Sequence, residues 1–302
     1  MGWRNPDMVR DSFAAFILSH GRANKVVTVD TLKKEGYTGK WYLLLDDEDD
    51  QIDIYKKNFG EDHIIIFSKK EVSSEFDIMD NFDGNKVIVY ARNALNKIAK
   101  DMGLKYFWEL EDDYYDFSIR MEMGDHLPIL QIEDLDGIIE AFLDFLDTTK
   151  IKTIAFAQTG EMIGGKNGNI WRERVKRKAM NTFFFRVEDA PITPGDQFIG
   201  RMNDDVNWYI DSGKRGNVIL QTAEIALAQE ETQKNKSGNS TVYKSMGTYV
   251  KSFYSILTRP DCVKIHILGS NHGKNNGMDQ RIHHKIYWEN CVPKIVSSKF
   301  KK

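Results

Sequence analysis

Three consecutive carboxylates, Glu111-Asp112-Asp113, directly follow the apolar run Tyr106-Phe107-Trp108-Glu109-Leu110. At the end of a buried strand such a cluster can hold a hard divalent cation, Mg²⁺ or Mn²⁺, which takes oxygen ligands and bridges the phosphates of a nucleotide. A cation there would neutralise charge developing on a departing diphosphate. A solvated acidic turn is the other reading of the same triplet. Asp46 and Asp47 end a second apolar run, where α/β nucleotide sites place a carboxylate on ribose or base; the continuation Glu48-Asp49-Asp50 suits a solvated helix start. Ser19-His20-Gly21-Arg22 lies between the first predicted strand and helix. Amide groups and the helix dipole favour a phosphate or a polar base edge there, or simply make an N-cap and a turn. Arg92 and Asn93 stand near the start of a later crossover, and the planar fork of Arg92 suits a diphosphate.

The second half carries its own candidates. Asn203-Asp204-Asp205-Val206-Asn207-Trp208 puts two carboxylates at the start of a short helix. Either can act as general base toward an acceptor hydroxyl, while N-capping by Asp204 is the structural alternative. His283 and His284 can serve as metal ligands or phosphate donors, or lie exposed. Arg172, Arg174, Lys176, Arg177 and Lys178, continuing to Arg186, form the most basic segment and follow Trp171. Phosphate neutralisation with an aromatic for stacking suits nucleic acid; a solvated charged face is the alternative.

The elements that must position these residues alternate through the first hundred positions. Buried strands are expected at 13–18, 41–45 and 106–110 and a further strand at 64–67, with helices ending near Gly36 and Gly60 and another over 91–102. Continuous apolar strands alternating with helices signal a parallel sheet covered on both faces, with ligands beyond the carboxyl ends of its strands. Further on, strands are expected over 115–121, 151–157, 181–187, 218–228 and 263–268. Helices are expected over 133–146, 204–212 and 241–257, and glycine-rich loops at 160–169 and 269–277.

With 302 residues, 41% of them hydrophobic, the chain can bury a sizeable core, which sets aside disordered and fibrous classes. Lys and Arg number 42 against 45 Asp and Glu, a formal charge of −3, which argues against binding nucleic acid by bulk charge alone. Two cysteines, Cys262 and Cys291, supply neither a disulfide framework nor a zinc cluster. No signal peptide is evident, and apolar runs fall far short of the ~20 residues that span a bilayer. A soluble protein of a reducing cytoplasm is the expectation.

Taken in order, these motifs resemble a GT-A type glycosyltransferase over residues 10–290. More narrowly, the chain resembles the TET-associated glycosyltransferases of tailed phages, which are thought to put sugars on hydroxymethylated pyrimidines in DNA. The residues that carry this are Phe16-Ile17-Leu18-Ser19-His20-Gly21-Arg22, Val89-Tyr90-Ala91-Arg92-Asn93-Ala94, Glu109-Leu110-Glu111-Asp112-Asp113-Tyr114, Asn203-Asp204-Asp205-Val206-Asn207-Trp208 and His283-His284-Lys285. The resemblance implies one two-lobed α/β domain over 1–302, with a nucleotide-sugar half at 10–115 and an acceptor half at 116–302. It implies Mn²⁺ or Mg²⁺ at Glu111 and Asp113, with Glu111 standing where the usual Asp-x-Asp has aspartate, and His283 or His284 as a late ligand. Ser19, His20, Arg22, Asp46, Asp47 and Asp112 would hold the nucleotide, Arg92 its diphosphate, and Asp204 or Asp205 would be the base. It further implies a UDP-sugar donor, double-stranded DNA carrying hydroxymethylpyrimidine as acceptor, and the host cytoplasm as location. A glycan, lipid or protein acceptor, a non-catalytic DNA- or nucleotide-binding module, and a nucleotidyltransferase are the competing readings.

Overall fold

The computed structural model describes residues 11–82, 86–158, 165–168, 171, 179–180, 182–230, 249–270 and 279–293. Strand β1 (Phe13–Leu18) is buried along its whole length. Its side chains therefore alternate between two cores instead of between core and water. Ala14, Phe16 and Leu18 enter one core, and Phe13, Ala15 and Ile17 the other. After α1 (Thr28–Lys34) come β2 (Lys40–Asp46), α2 (Ile52–Phe59), β3 (Ile64–Phe67), the short α3 (Lys69–Ser73), α4 (Val89–Asp101) and β4 (Tyr106–Glu111). β1 lies parallel to both β2 and β4, and β2 is parallel to β3. The register sets Leu18 opposite Leu44 on one side and Glu111 on the other, so three strands finish at one edge.

The chain continues through β5 (Tyr114–Arg120), β6 (Ile129–Gln131), α5 (Leu135–Thr148), β7 (Ile151–Gln158), β8 (Phe183–Arg186), α6 (Asp204–Lys214) and β9 (Val218–Gln229). Among the described residues these make one nine-stranded mixed sheet in the order β3-β2-β1-β4-β8-β7-β9-β5-β6. The sheet curls enough that its β5 flank returns to β4, where the rings of Trp108 and Phe117 lie 5.6 Å apart. On one face Leu95 and Ala99 of α4 pack with Val206, Trp208 and Ile210 of α6. On the other, Val29 and Leu32 of α1 pack with Leu135, Ile139, Leu143 and Leu146 of α5. At Gly36 the backbone is left-handed (φ 87°) and a Cβ would sit 2.4 Å from the Glu133 carbonyl, so only glycine lets α1 end against the start of α5.

Helix α7 (Val250–Thr258) follows, then an antiparallel hairpin of β10 (Val263–Ser270) and β11 (Asp279–Ile286). The expected helix over 241–257 is thus seen from Val250 onward, and residues 241–248 lie outside those described. Strand β11 has no counterpart in the sequence-based reading. Its alternation places His284 between Ile282 and Ile286, and this buried histidine, beside Ser252 of α7, breaks the apolar pattern. No described helix is long and apolar enough to cross a membrane.

Candidate active site

The carboxyl ends of β1, β2 and β4 bring the first-half candidates to one edge. Gly21 takes a left-handed turn (φ 65°), which starts the chain from β1 toward α1. Ser19 Oγ donates to Asp112, and Arg22 Nη1 donates to Asp112 Oδ1 at 2.6 Å. The Tyr55 hydroxyl joins this cluster, 2.7 Å from Ser19 Oγ and accepting the Arg22 amide at 2.8 Å. Beside it His20 Nδ1 lies 2.6 Å from Asp46 Oδ2, and the Gly21 amide donates to Asp49 Oδ2 at 2.7 Å. Lys69 Nζ completes the group, 2.7 Å from Asp46 Oδ1. Burial alone would raise the Asp46 pKa, but His20 and Lys69 hold it below its ordinary value. Asp47 is exposed and uses Oδ1 to accept the Lys69 amide at the start of α3.

The three residues of the β4 end diverge. Asp112 faces the Ser19 and Arg22 side. Glu111, about a quarter exposed at 26%, faces Arg92, whose Nη2 is 3.2 Å from its Oε1. Asp113 keeps a buried Oδ1 with no hydrogen-bond partner among the described residues, while its Oδ2 is 3.7 Å from Arg22 Nη1. Burial, and then the neighbouring carboxylates, push both Glu111 and Asp113 above the ordinary carboxylate range, against the pull of Arg92 and Arg22. Glu230, which follows β9, adds negative charge: its amide donates to the Asp113 carbonyl, and its carboxylate repels that of Asp113.

Arg92 does not stand open at this edge for a diphosphate; its fork is filled by carboxylates. It is 2% exposed and gives Nε to Glu109 Oε1 at 2.7 Å and Nη1 to Asp204 Oδ2 at 2.6 Å. Burial works against its charge, but Asp204 and Glu109 raise its pKa well above the usual arginine value. The partner Asp204 is the first residue of α6 and does not cap it. Asn203 takes the N-cap position in a left-handed conformation (φ 55°) and anchors it by donating Nδ2 to the Lys251 carbonyl at 2.9 Å and to Ser255 Oγ at 3.1 Å. Just before it Gly200 (φ 89°) leaves no room for a side chain, since a Cβ would meet Asn207 Nδ2 at 2.8 Å. Asp205 is half-buried and accepts the Val206 amide at 2.7 Å.

Other candidates fall elsewhere. His283 and His284 sit on β11, in the hairpin that packs on α7, with ring centroids 4.5 Å apart. Among the described residues no group of three or more His, Cys, Asp or Glu is gathered to hold a metal. Arg172, Arg174, Lys176, Arg177 and Lys178 lie outside the described residues. The two ends of that basic segment are structural. Trp171 is 4% exposed and donates its indole N–H to Glu122, so it is no stacking platform. Arg186 is buried at the end of β8, gripping Asp189 and the carbonyls of Leu146, Thr149 and Ile151. Sequence reasoning passed over Tyr55, Asp49, Lys69, Glu109 and Glu230. Of these Glu109 left a signal, a charge inside an apolar strand, since a buried charge needs a partner.

The donor set at β4 suits a hard cation. Asp113 offers an orphaned oxygen and Glu111 a partly exposed one, and Mg²⁺-type sites use one or two carboxylates and take their remaining ligands from phosphate and water. Asp113 and Glu111 are the residues that would hold it.

Carboxylates gathered at the carboxyl edge of parallel strands, joined through Arg92 to a carboxylate of α6, fit an α/β protein of the class that binds ligands at that edge. The sequence profile of the TET-associated glycosyltransferases matches residues 13–238. The chain belongs to that family, and it is a glycosyltransferase. No curated protein matches the sequence significantly. Among solved structures it is similar to glucosyl-3-phosphoglycerate synthase from Mycobacterium tuberculosis in complex with Mg²⁺ and uridine diphosphate, at 11% identity and a TM-score of 0.48, over 95% of this chain and 92% of that one. The same enzyme with Mn²⁺ and UDP-glucose is similar at 11% identity and a TM-score of 0.46, over 98% of this chain and 93% of that one.

Proposed function

We propose that this glycosyltransferase has the GT-A arrangement and moves a sugar, glucose first among the candidates, from a UDP-sugar to the hydroxymethyl group of a modified pyrimidine in DNA, 5-hydroxymethylcytosine foremost. The observation that carries the chemistry is the unbalanced acidic end of β4, where Asp113 presents a buried oxygen without a partner among the described residues. The family to which the chain belongs supports the sugar transfer, and the sequence resemblance supports the DNA acceptor.

In this reading Asp113 and Glu111 hold Mn²⁺ or Mg²⁺, which supplies charge neutralisation for the departing UDP. The Ser19, Arg22, Asp112 and Tyr55 cluster, with Asp46 and His20 behind it, forms the wall for the base and ribose. A carboxylate at the start of α6 takes the acceptor proton. As that proton leaves, the hydroxyl oxygen bonds to the anomeric carbon from the face opposite the diphosphate. The carbon–oxygen bond to the diphosphate breaks, and its electron pair leaves with UDP. Displacement from the opposite face inverts the anomeric centre.

Incubating the protein with hydroxymethylated duplex DNA, a panel of UDP-sugars and Mn²⁺ tests this. Release of UDP and a nucleoside heavier by one hexose are expected. UDP release only with a glycan, lipid or protein acceptor would overturn the DNA assignment, and release of pyrophosphate would overturn the sugar transfer.

A further inference from the structure

Arg92 is the point through which the two sides of this site touch. One guanidinium serves Glu109 inside β4 at 2.7 Å, Glu111 at its end at 3.2 Å, and Asp204 in the first turn of α6 at 2.6 Å. The Phe183 and Phe198 rings, 5.9 Å apart, both lie against it with centroids 5.8 and 5.7 Å away. A planar five-donor fork can serve three directions at once; the point charge of a lysine cannot. At 2% exposure the group meets no ligand without leaving its partners.

The two aspartates of α6 are therefore not equivalent. Asp204 is 3% exposed and committed to Arg92, and a proton taken there would leave a buried guanidinium short of a partner. Asp205 follows it in the chain, about 100° round the helix, and reaches solvent. Resting on the glycosyltransferase reading above, we propose that Arg92 is a positioning residue that ties the Glu111 end of β4 to the first turn of α6 through Asp204. Asp205, and not Asp204, then takes the proton of the acceptor hydroxyl.

The step balances within that assignment. The hydroxyl proton passes to an Asp205 oxygen while the hydroxyl electron pair forms the bond to the anomeric carbon, and the pair of the broken bond departs with UDP. Asp205 returns its proton to water once the product leaves. Arg92, Glu109 and Asp204 keep their charges throughout. Their role is to hold the base and the leaving-group carboxylates at a fixed separation, where small misplacements slow transfer steeply.

The full chain and its Asp205→Asn, Asp205→Glu, Asp204→Asn, Arg92→Lys and Glu109→Gln variants test this by two readouts. These are the affinity for UDP with Mn²⁺ by calorimetry, and kcat and KM on hydroxymethylated DNA. Asp205→Asn is expected to lower kcat by roughly a hundredfold or more with donor affinity unchanged, and Asp205→Glu to recover part of it. Arg92→Lys is expected to weaken UDP–Mn²⁺ binding and slow kcat together, each by about tenfold, as when the support of a ligand is lost. Asp204→Asn and Glu109→Gln should show smaller shifts of the same kind, not additive with Arg92→Lys. If Arg92→Lys does not fold, the Asp204→Asn and Glu109→Gln variants carry the same readouts. A larger kcat loss in Asp204→Asn than in Asp205→Asn overturns the base assignment. Unchanged donor affinity and kcat in Arg92→Lys, or in both Asp204→Asn and Glu109→Gln, overturn the positioning role. A wild-type chain that neither binds UDP with Mn²⁺ nor transfers sugar overturns the enzymatic reading itself, which the variants alone do not.

Discussion

At the end of β2, Asp46 has His20 at 2.6 Å and Lys69 at 2.7 Å, whereas at the end of β4 Glu111 shares a single Arg92 with Glu109 and Asp204. The two ends flank β1, and burial opposes ionisation at both. Local charge decides the outcome: Asp46 is pulled below its ordinary pKa, while Glu111 and Asp113 stay above theirs. A balanced carboxylate makes a wall. An unbalanced pair stores repulsion that an added cation would relieve, which is the difference the proposed roles of the two strand ends rest on.

The contrast breaks most sharply at Asp113. Asp113→Asn is expected to cut sugar transfer on the order of a thousandfold, about 4 kcal/mol of barrier, while thermal stability holds or rises. Steady-state rates beside a melting curve check this; a protein that loses stability but keeps its rate would place Asp113 with the walls. At the balanced end the expectation reverses. Lys69, 3% exposed, leaves Asp46 short of a partner when replaced by methionine, and urea unfolding should show about 3 kcal/mol lost. Unfolding at wild-type denaturant concentrations would show that His20 alone balances the site.

A third carboxylate sharpens the comparison because it has no ion pair in the described contacts. Glu35, at the end of α1, is 2% exposed, accepts the Phe117 amide with Oε1 and leaves Oε2 buried without a partner among the described residues. Burial pushes its pKa from 4.5 up to about 7. The folded chain then holds a proton that the unfolded chain releases, so the stability contributed is full below pH 4.5 and is lost as pH rises toward about 7. Glu35→Gln should flatten this slope and gain about 1–3 kcal/mol above neutral pH, read from urea unfolding at several pH values. A variant with the wild-type slope would show that another group titrates in that window.

The strands at 13–18 and 64–67 were legible because they are unbroken apolar runs; burial on both faces demands such a run at 13–18, whereas 64–67 lies at the sheet edge with Ile66 exposed. Glu111 to Asp113 could be picked out because a carboxylate triplet after such a run falls where a parallel sheet binds its ligands, although a solvated acidic turn reads the same. Which partner each carboxylate takes was not legible. Arg92 reaches Asp204 across 112 positions because α4 and α6 pack on the same face of the sheet. Lys69 and Tyr55 read as ordinary surface-helix residues until the fold carries them to β1 and β2. Glu230 reaches Asp113 through the pairing of β9 with β5, a register that no local pattern announces.

That last pairing governs the order in which the molecule can assemble. β1 to β4 are neighbours through local crossovers and can pair as they leave the ribosome. β5 can pair locally with β6, but the two join the rest of the sheet only through β9, whose Gln229 lies opposite Tyr114. Closing so long an interval costs chain entropy before any contact returns it, which makes this a late and slow step. Glu111 is thus in place on the nascent chain before Asp204 has been made, and the two sides of the site meet only when most of the protein already exists.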